Sequence, residues 1–183
     1  MPLRIQTDDT ALLVIDMQER LVPVMEGAEE LVQRVATMSR GARELGLPIL
    51  ATEQYPNGLG KTVSEVAEAM GVQPLEKLSF SAVAAEGFHQ ALLNAGRRTI
   101  LIAGIETHVC VMQTCLDMID EHLQPILLAD CTASRHRVDR DTALARLRGA
   151  GVLVTTLESA LFELLGGAGT EQFKSISRLV KEL

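Results

Sequence analysis

An α/β fold is predicted for this chain, a three-layer αβα sandwich around a central, mainly parallel open sheet. Three observations predict it. Short apolar runs alternate with longer amphipathic ones from end to end of the 183 residues. The short runs are close to continuously apolar, as strands covered on both faces must be. Helical periodicity stops at glycines such as Gly46 and Gly96, the usual C-terminal caps. With right-handed crossovers these elements stack helices on both faces of one sheet. The length suits one domain spanning residues 1–183, and no repeat, low-complexity tract or linker divides it.

In order, Ala11–Ile15 reads as a buried strand ending at Asp16. Glu29–Leu45 has helical periodicity, and Pro48–Thr52 is strand-like. The turn-rich stretch Glu53-Gln-Tyr-Pro-Asn-Gly-Leu-Gly follows. Thr62–Met70 reads as a short helix, Leu75–Phe80 as an extended segment and Glu86–Ala95 as a helix. The pattern then repeats with strand Thr99–Ala103, helix Cys110–His122, strand Pro125–Ala129 and helix Asp139–Ala150. Val152–Thr155 is the last strand, with helices at Glu158–Leu165 and Thr170–Lys181.

Hydrophobic residues make up 47% of the chain and aromatics only 3%, so Leu, Val, Ile and Ala fill the core. A net charge of -7, without a basic run, argues against nucleic acid or an anionic membrane as partner. No apolar stretch approaches the ~18–20 residues that a membrane span needs. The first residues, Met-Pro-Leu-Arg-Ile-Gln-Thr-Asp-Asp, lack the apolar core of a signal peptide. Together with three cysteines (Cys110, Cys115, Cys131), this points to free thiols in a reducing cytoplasm. Cys110 and Cys115 lie five apart on a predicted helix and face different directions. Neither CxxC nor His-rich spacing suggests a metal pair.

Ligands of open parallel sheets bind beyond the carboxyl ends of the strands. Asp16, Glu53, Lys77, the Gly104–Cys110 turn, Asp130 and His136 all follow strands, whereas His89 and His122 lie on helices away from that edge. Cys110 follows an apolar strand and a polar turn, at or near a helix N-terminus, where free N–H groups favour a thiolate. A cysteine nucleophile also needs a proton acceptor and donors for the oxyanion. Taken singly, Asp16 equally fits a loop carboxylate, Lys77 a solvated lysine and Cys110 an inert buried thiol.

In combination these residues resemble the cysteine-hydrolase side of the isochorismatase-like superfamily, over nearly the whole chain. The resemblance rests on Leu-Leu-Val-Ile-Asp-Met-Gln at 12–18, Lys77 with Ser79-Phe80, Gly-Ile-Glu-Thr-His-Val-Cys-Val at 104–111 and Leu-Ala-Asp-Cys-Thr-Ala-Ser at 128–134. The stretch from Thr52 to Gly60, with Phe80-Ser81 and Glu106, is most similar to the small isochorismatase-domain proteins of unassigned substrate. The resemblance implies the isochorismatase-like hydrolase fold and a triad of Asp16, Lys77 and Cys110. It also implies a cis peptide at Ile105–Glu106, which would set the N–H groups of Glu106 and Cys110 as an oxyanion hole. The implied reaction is hydrolysis of a small amide-type (C–N) substrate through a Cys110 thioester, because isochorismatases that cleave a vinyl ether lack this cysteine. Gln18, Tyr55, Phe80, Ile105 and Glu106 are the candidate pocket walls, with Glu106 either repelling carboxylates, receiving a cationic group or simply solvated. Where nicotinamidase relatives carry an Asp-x-His metal motif, this chain reads Glu53-Gln-Tyr, so neither metal nor cofactor is expected. Relatives are commonly oligomeric, and a homo-oligomer is expected.

Other readings compete. Gly58-Leu-Gly-Lys-Thr is similar to the end of a phosphate loop, but Tyr55 stands where that loop needs its first glycine. Cys110 with His136 and Asp130 would be an alternative Cys–His–Asp set. The same fold could instead serve as a thiol redox sensor or an interaction scaffold.

Overall fold

The computed structural model describes residues 4–183. Six strands form one sheet: β1 (Thr10–Ile15), β2 (Ile49–Gln54), β3 (Leu75–Lys77), β4 (Thr99–Ile105), β5 (Gln124–Ala133) and β6 (Leu153–Thr155). Their order is β3-β2-β1-β4-β5-β6, and every pairing within it is parallel. β1 and β4 lie at the centre and are buried at every residue, which is why both read as unbroken apolar runs.

Helices cover both faces. On one side lie α1 (Ala28–Glu44), α3 (Ser64–Met70), α7 (Leu157–Leu165) and α8 (Glu171–Lys181), packed on Leu12, Val14, Leu101, Ala103 and Ile105. On the other lie α4 (Phe88–Ala95), α5 (Met112–Asp120) and α6 (Arg137–Gly149), packed on Leu13, Ile15, Ile100 and Ile102. The alternation of β1 and β4 residues between the two cores follows from the period-2 strand geometry. Phe88 is the largest side chain fully out of solvent, and such burial contributes about 2–3 kcal/mol. A single helical turn, α2 (Pro56–Leu59), follows β2.

Several predicted boundaries move, each for a local reason. The helix expected from Thr62 starts at Ser64, because Glu53 Oε1 accepts from both the N–H and the hydroxyl of Thr62. The extended segment expected to Phe80 ends at Lys77, beyond which the Ser79 and Phe80 carbonyls turn inward onto the Lys77 ammonium. β5 runs past Ala129 to Ala133, with a shift of register between its pairings at Leu127 and Thr132. α7 and α8 start where Thr156 and Thr170 cap them through their side chains.

Candidate active site

The strand order reverses between β1 and β4, and the helices that follow them, α1 and α5, lie on opposite faces. Such a reversal opens a crevice at the carboxyl ends of the two strands. Asp16 follows β1 directly, and Cys110 lies in the turn after β4.

Asp16 leaves the strand with φ of 54°, in the left-handed region that non-glycine residues seldom occupy. Its N–H donates to the Thr52 carbonyl, and its own carbonyl accepts from the Gln18 N–H at 2.7 Å. The turn directs the carboxylate beside the sheet edge, where Thr52 Oγ1 donates to Oδ1 at 2.7 Å and Lys77 Nζ to Oδ2 at 2.7 Å. Both charged side chains are wholly buried. The Lys77 ammonium also meets Gln54 Oε1 at 2.8 Å, the Phe80 carbonyl at 2.9 Å and the Ser79 carbonyl at 3.2 Å. An ammonium has three donors, so this one is saturated by protein.

The Ile105–Glu106 peptide bond is cis, and Thr107–Val111 forms a turn of π type before α5. Cys110 therefore sits inside the helical segment instead of opening it, one difference from the sequence expectation. A second concerns its charge. Burial pushes the Cys110 thiol up to about 12, and the Asp16 carboxylate pushes in the same direction against the weaker, opposing pull of Lys77. Asp16 and Lys77 are thus the two charged groups that act on this thiol. Thr114 Oγ1 donates to the Cys110 carbonyl at 2.6 Å and accepts the Ala82 N–H at 2.9 Å. One hydroxyl thus ties the Cys110 turn to the loop after Lys77.

Tyr55 and Phe80 are each about half exposed. Tyr55 lines a groove of about 510 Å³ with Pro56, Leu78 and Ala85. Gln18 is a correction: it is fully buried, its amide donating to the Gln54 and Gly60 carbonyls and accepting the Gln54 N–H. It holds the loop after β2 and has no face left for a ligand. Ile105 is a second correction, because its side chain belongs to the α1-side core, whereas Cys110 belongs to the α5-side one. Glu53 also points away from the crevice, to Thr62 and to Lys61 Nζ at 3.3 Å. Among the described residues no group of three or more His, Cys, Asp or Glu is placed to hold a metal ion.

Glu106 carries a partner that its sequence position did not reveal. Its Oε2 accepts from the Arg135 backbone N–H at 3.1 Å and from Arg135 Nε at 3.2 Å. The alternative set of Cys110, His136 and Asp130 is not assembled. Asp130 is occupied by Arg34 at 3.2 Å and by the Leu157 N–H at 2.9 Å, on the α1 side of the sheet. His136 is exposed and precedes α6.

Thr52, Gln54 and Thr114 belong to the site but were not singled out in the sequence. Thr52 and Gln54 share one face of β2 with Leu50, and two polar residues at i and i+2 on a buried strand are a readable signal. Thr114 offered only its spacing of four from Cys110, which many helical threonines share.

The family model for the isochorismatase domain matches residues 10–159. Isochorismatase domain-containing protein 2 of Bos taurus is 42% identical over 181 residues, or 98% of this chain and 86% of that protein. Among solved structures, the MAR1 ribonuclease from Caenorhabditis elegans aligns with a TM-score of 0.91 at 31% identity, over 97% of this chain and 92% of that one. YcaC from Pseudomonas aeruginosa, solved with hexane-2,5-diol and covalent acrylamide, aligns with a TM-score of 0.88 at 25% identity, over 100% and 98%.

Proposed function

The chain belongs to the isochorismatase family, and from that premise we propose that it is a cysteine-dependent hydrolase of a small amide-type substrate. The observation that carries the reading is the buried Asp16 carboxylate, held by Lys77 and placed beside the Cys110 thiol.

In the proposed reaction Cys110 Sγ attacks the substrate carbonyl carbon as its proton passes to Asp16. A thiol held up to about 12 reaches the thiolate only as it attacks, so the adjacent base is essential. The N–H groups of Glu106 and Cys110 receive the oxyanion, and one such donor is worth about 3 kcal/mol. The tetrahedral species collapses, the C–N bond breaks and ammonia or an amine leaves with the proton from Asp16. Water then gives a proton to Asp16 and adds to the thioester. The acid is released and the proton returns to sulfur. Lys77 holds the Asp16 carboxylate in place through its 2.7 Å hydrogen bond. Neither metal nor cofactor enters this scheme.

The covalent acrylamide of the Pseudomonas YcaC supports the reading, since acrylamide is an electrophile and an amide. A thiol redox sensor is less favoured, because redox-sensing cysteines are solvent-accessible and Cys110 is buried. A ribonuclease activity like that named for the C. elegans neighbour is disfavoured. Phosphate backbones demand cationic surface, and this chain has 24 acidic against 17 basic side chains. A cytoplasmic location and a homo-oligomer belong to the proposal, supported by three free cysteines and by exposed Leu78 and Leu93. No described helix is long and apolar enough to cross a membrane.

A hydrolysis screen over small amides, carbamoyl compounds and ureides, run beside Cys110→Ala, tests the proposal. Mass spectrometry of an acyl adduct on Cys110 is the expected result. Turnover retained by Cys110→Ala would overturn it.

A further inference from the structure

We infer that Thr132 is a positioning residue for the oxyanion step, its hydroxyl holding the stretch whose Glu106 N–H would receive the charge. The inference rests on the cysteine-hydrolase reading, in which that N–H and the Cys110 N–H bind the oxyanion, and adds the side chain that fixes one of them. Thr132 Oγ1 donates to the Gly104 carbonyl at 2.8 Å and lies 2.9 Å from Thr107 Oγ1. A hydroxyl carries one proton, so Thr132, having spent its own on Gly104, accepts from Thr107. The relay therefore runs from Thr107 through Thr132 to Gly104. Its ends stand on either side of Ile105 and Glu106, and its middle comes from the neighbouring strand. Thr107 is fully buried and Thr132 nearly so, which shields both bonds from competing solvent.

The path of β5 puts this side chain there. β4 advances from Ile102 to Gly104 while β5 advances from Leu127 to Thr132. Regular pairing would have set Ala129 opposite Gly104, and alanine has no hydroxyl. Arg140 bridges the irregularity, its Nε donating to the Thr132 carbonyl at 3.2 Å and its Nη2 to the Ala129 carbonyl. Irregularities of this kind beside a site re-aim a side chain. The other polar groups of Glu106 have anchors of their own. Its carbonyl accepts the Val109 and Val111 N–H groups and its carboxylate takes Arg135, whereas its N–H makes no hydrogen bond among the described residues. A donor for an oxyanion must be left free and yet be aimed, and the Thr132 relay supplies the aim.

Two reagents separate the aim of that donor from the reactivity of the sulfur, without depending on amide turnover. p-Nitrophenyl acetate acylates Cys110: the S–C bond forms through a tetrahedral oxyanion, the C–O bond breaks and p-nitrophenolate leaves. Iodoacetamide alkylates it, forming an S–C bond and expelling iodide with no oxyanion. In both cases the thiol proton passes to a base. The quantity to measure is the acylation rate divided by the alkylation rate at Cys110, located by mass spectrometry, with glutathione as the free-thiol reference. The wild-type ratio is expected to exceed that of glutathione, to fall at least about tenfold in Thr132→Val and to return to within about twofold in Thr132→Ser. Thr107→Val removes the other end of the relay and should lower the ratio in the same direction. An unchanged ratio in Thr132→Val or, should that variant not fold, in Thr107→Val overturns the inference. A ratio as low in Thr132→Ser as in Thr132→Val overturns it too, because the hydroxyl would then not be the cause. A wild-type ratio no higher than that of glutathione is a different failure: it overturns the hydrolase reading itself, and the inference with it.

Discussion

Lys77 Nζ lies 2.7 Å from Asp16 Oδ2, although the two residues are 61 positions apart and neither side chain reaches solvent. Desolvating two charges is costly, and their attraction offsets that cost only where other groups satisfy the remaining donors and acceptors. Thr52, Gln54 and two carbonyls do so here.

Removing the cation alone strands a buried carboxylate. Lys77→Met is expected to destabilise the fold by about 3–5 kcal/mol, with most of the loss regained in Asp16→Asn/Lys77→Met. Urea unfolding of the three proteins checks this. A double variant no more stable than Lys77→Met would count against the buried ion pair.

Asp16 raises the Cys110 thiol, so its removal lowers it. In the wild type, iodoacetamide labelling of Cys110 is expected to climb about tenfold per pH unit and to reach no plateau below pH 11. Asp16→Asn is expected to plateau at lower pH while losing about 10²–10⁴ in amide turnover. Superimposable pH profiles for the two proteins would remove Asp16 from the neighbourhood of the thiol.

Alkali is expected to unfold this protein. Burial pushes the Cys110 and Cys115 thiols up to about 12 and Cys131 well above the ordinary 9.0. Each therefore ionises more readily in the unfolded chain. Its contribution is whole below pH about 9 and lost as pH rises towards the folded value, at about 1.4 kcal/mol per unit and per thiol. Urea midpoints measured between pH 8 and 11 should fall, and less steeply in Cys115→Ala than in the wild type.

Thr114→Val is expected to leave the Ala82 N–H without its acceptor, at a cost of about 1–3 kcal/mol. Because the same hydroxyl binds the Cys110 carbonyl, kcat should fall more than KM changes, and Thr114→Ser should restore both. Full activity in Thr114→Val would show that the two loops are held by other contacts.

Gly104 has φ of 117° on β4, and a Cβ there would run into the backbone of Ile15. Gly104→Ala is expected to cost more than about 3 kcal/mol, read from thermal unfolding, because both the conformation and the close approach of β1 to β4 exclude a side chain. A variant of wild-type stability would mean that these two strands can separate without consequence.

The layering of this fold was legible in the chain because each element follows from local pattern. The unbroken apolar runs of β1 and β4 require cover on both faces, and the glycine-stopped amphipathic runs supply it. Position at strand ends brought Asp16, Lys77 and Cys110 to one sheet edge, but only the resemblance to the isochorismatase-like family joined them as a set. Less legible was the direction of individual side chains. Ile105 and Gln18 adjoin the site in sequence, yet strand alternation turns one into the opposite core and a buried amide clamp consumes the other.

Amino-acid order alone therefore determined the class of fold, the sheet edge at which chemistry is possible and the residue types gathered there. Only the tertiary structure decided which charges meet. It paired Lys77 with Asp16 and Arg135 with Glu106, sent Asp130 away to Arg34 and buried the Cys110 thiol, which pushes it up. Local pattern reports burial and period, whereas the state of a charge depends on desolvation and on partners dozens of residues distant, which exist only once the sheet has closed around them.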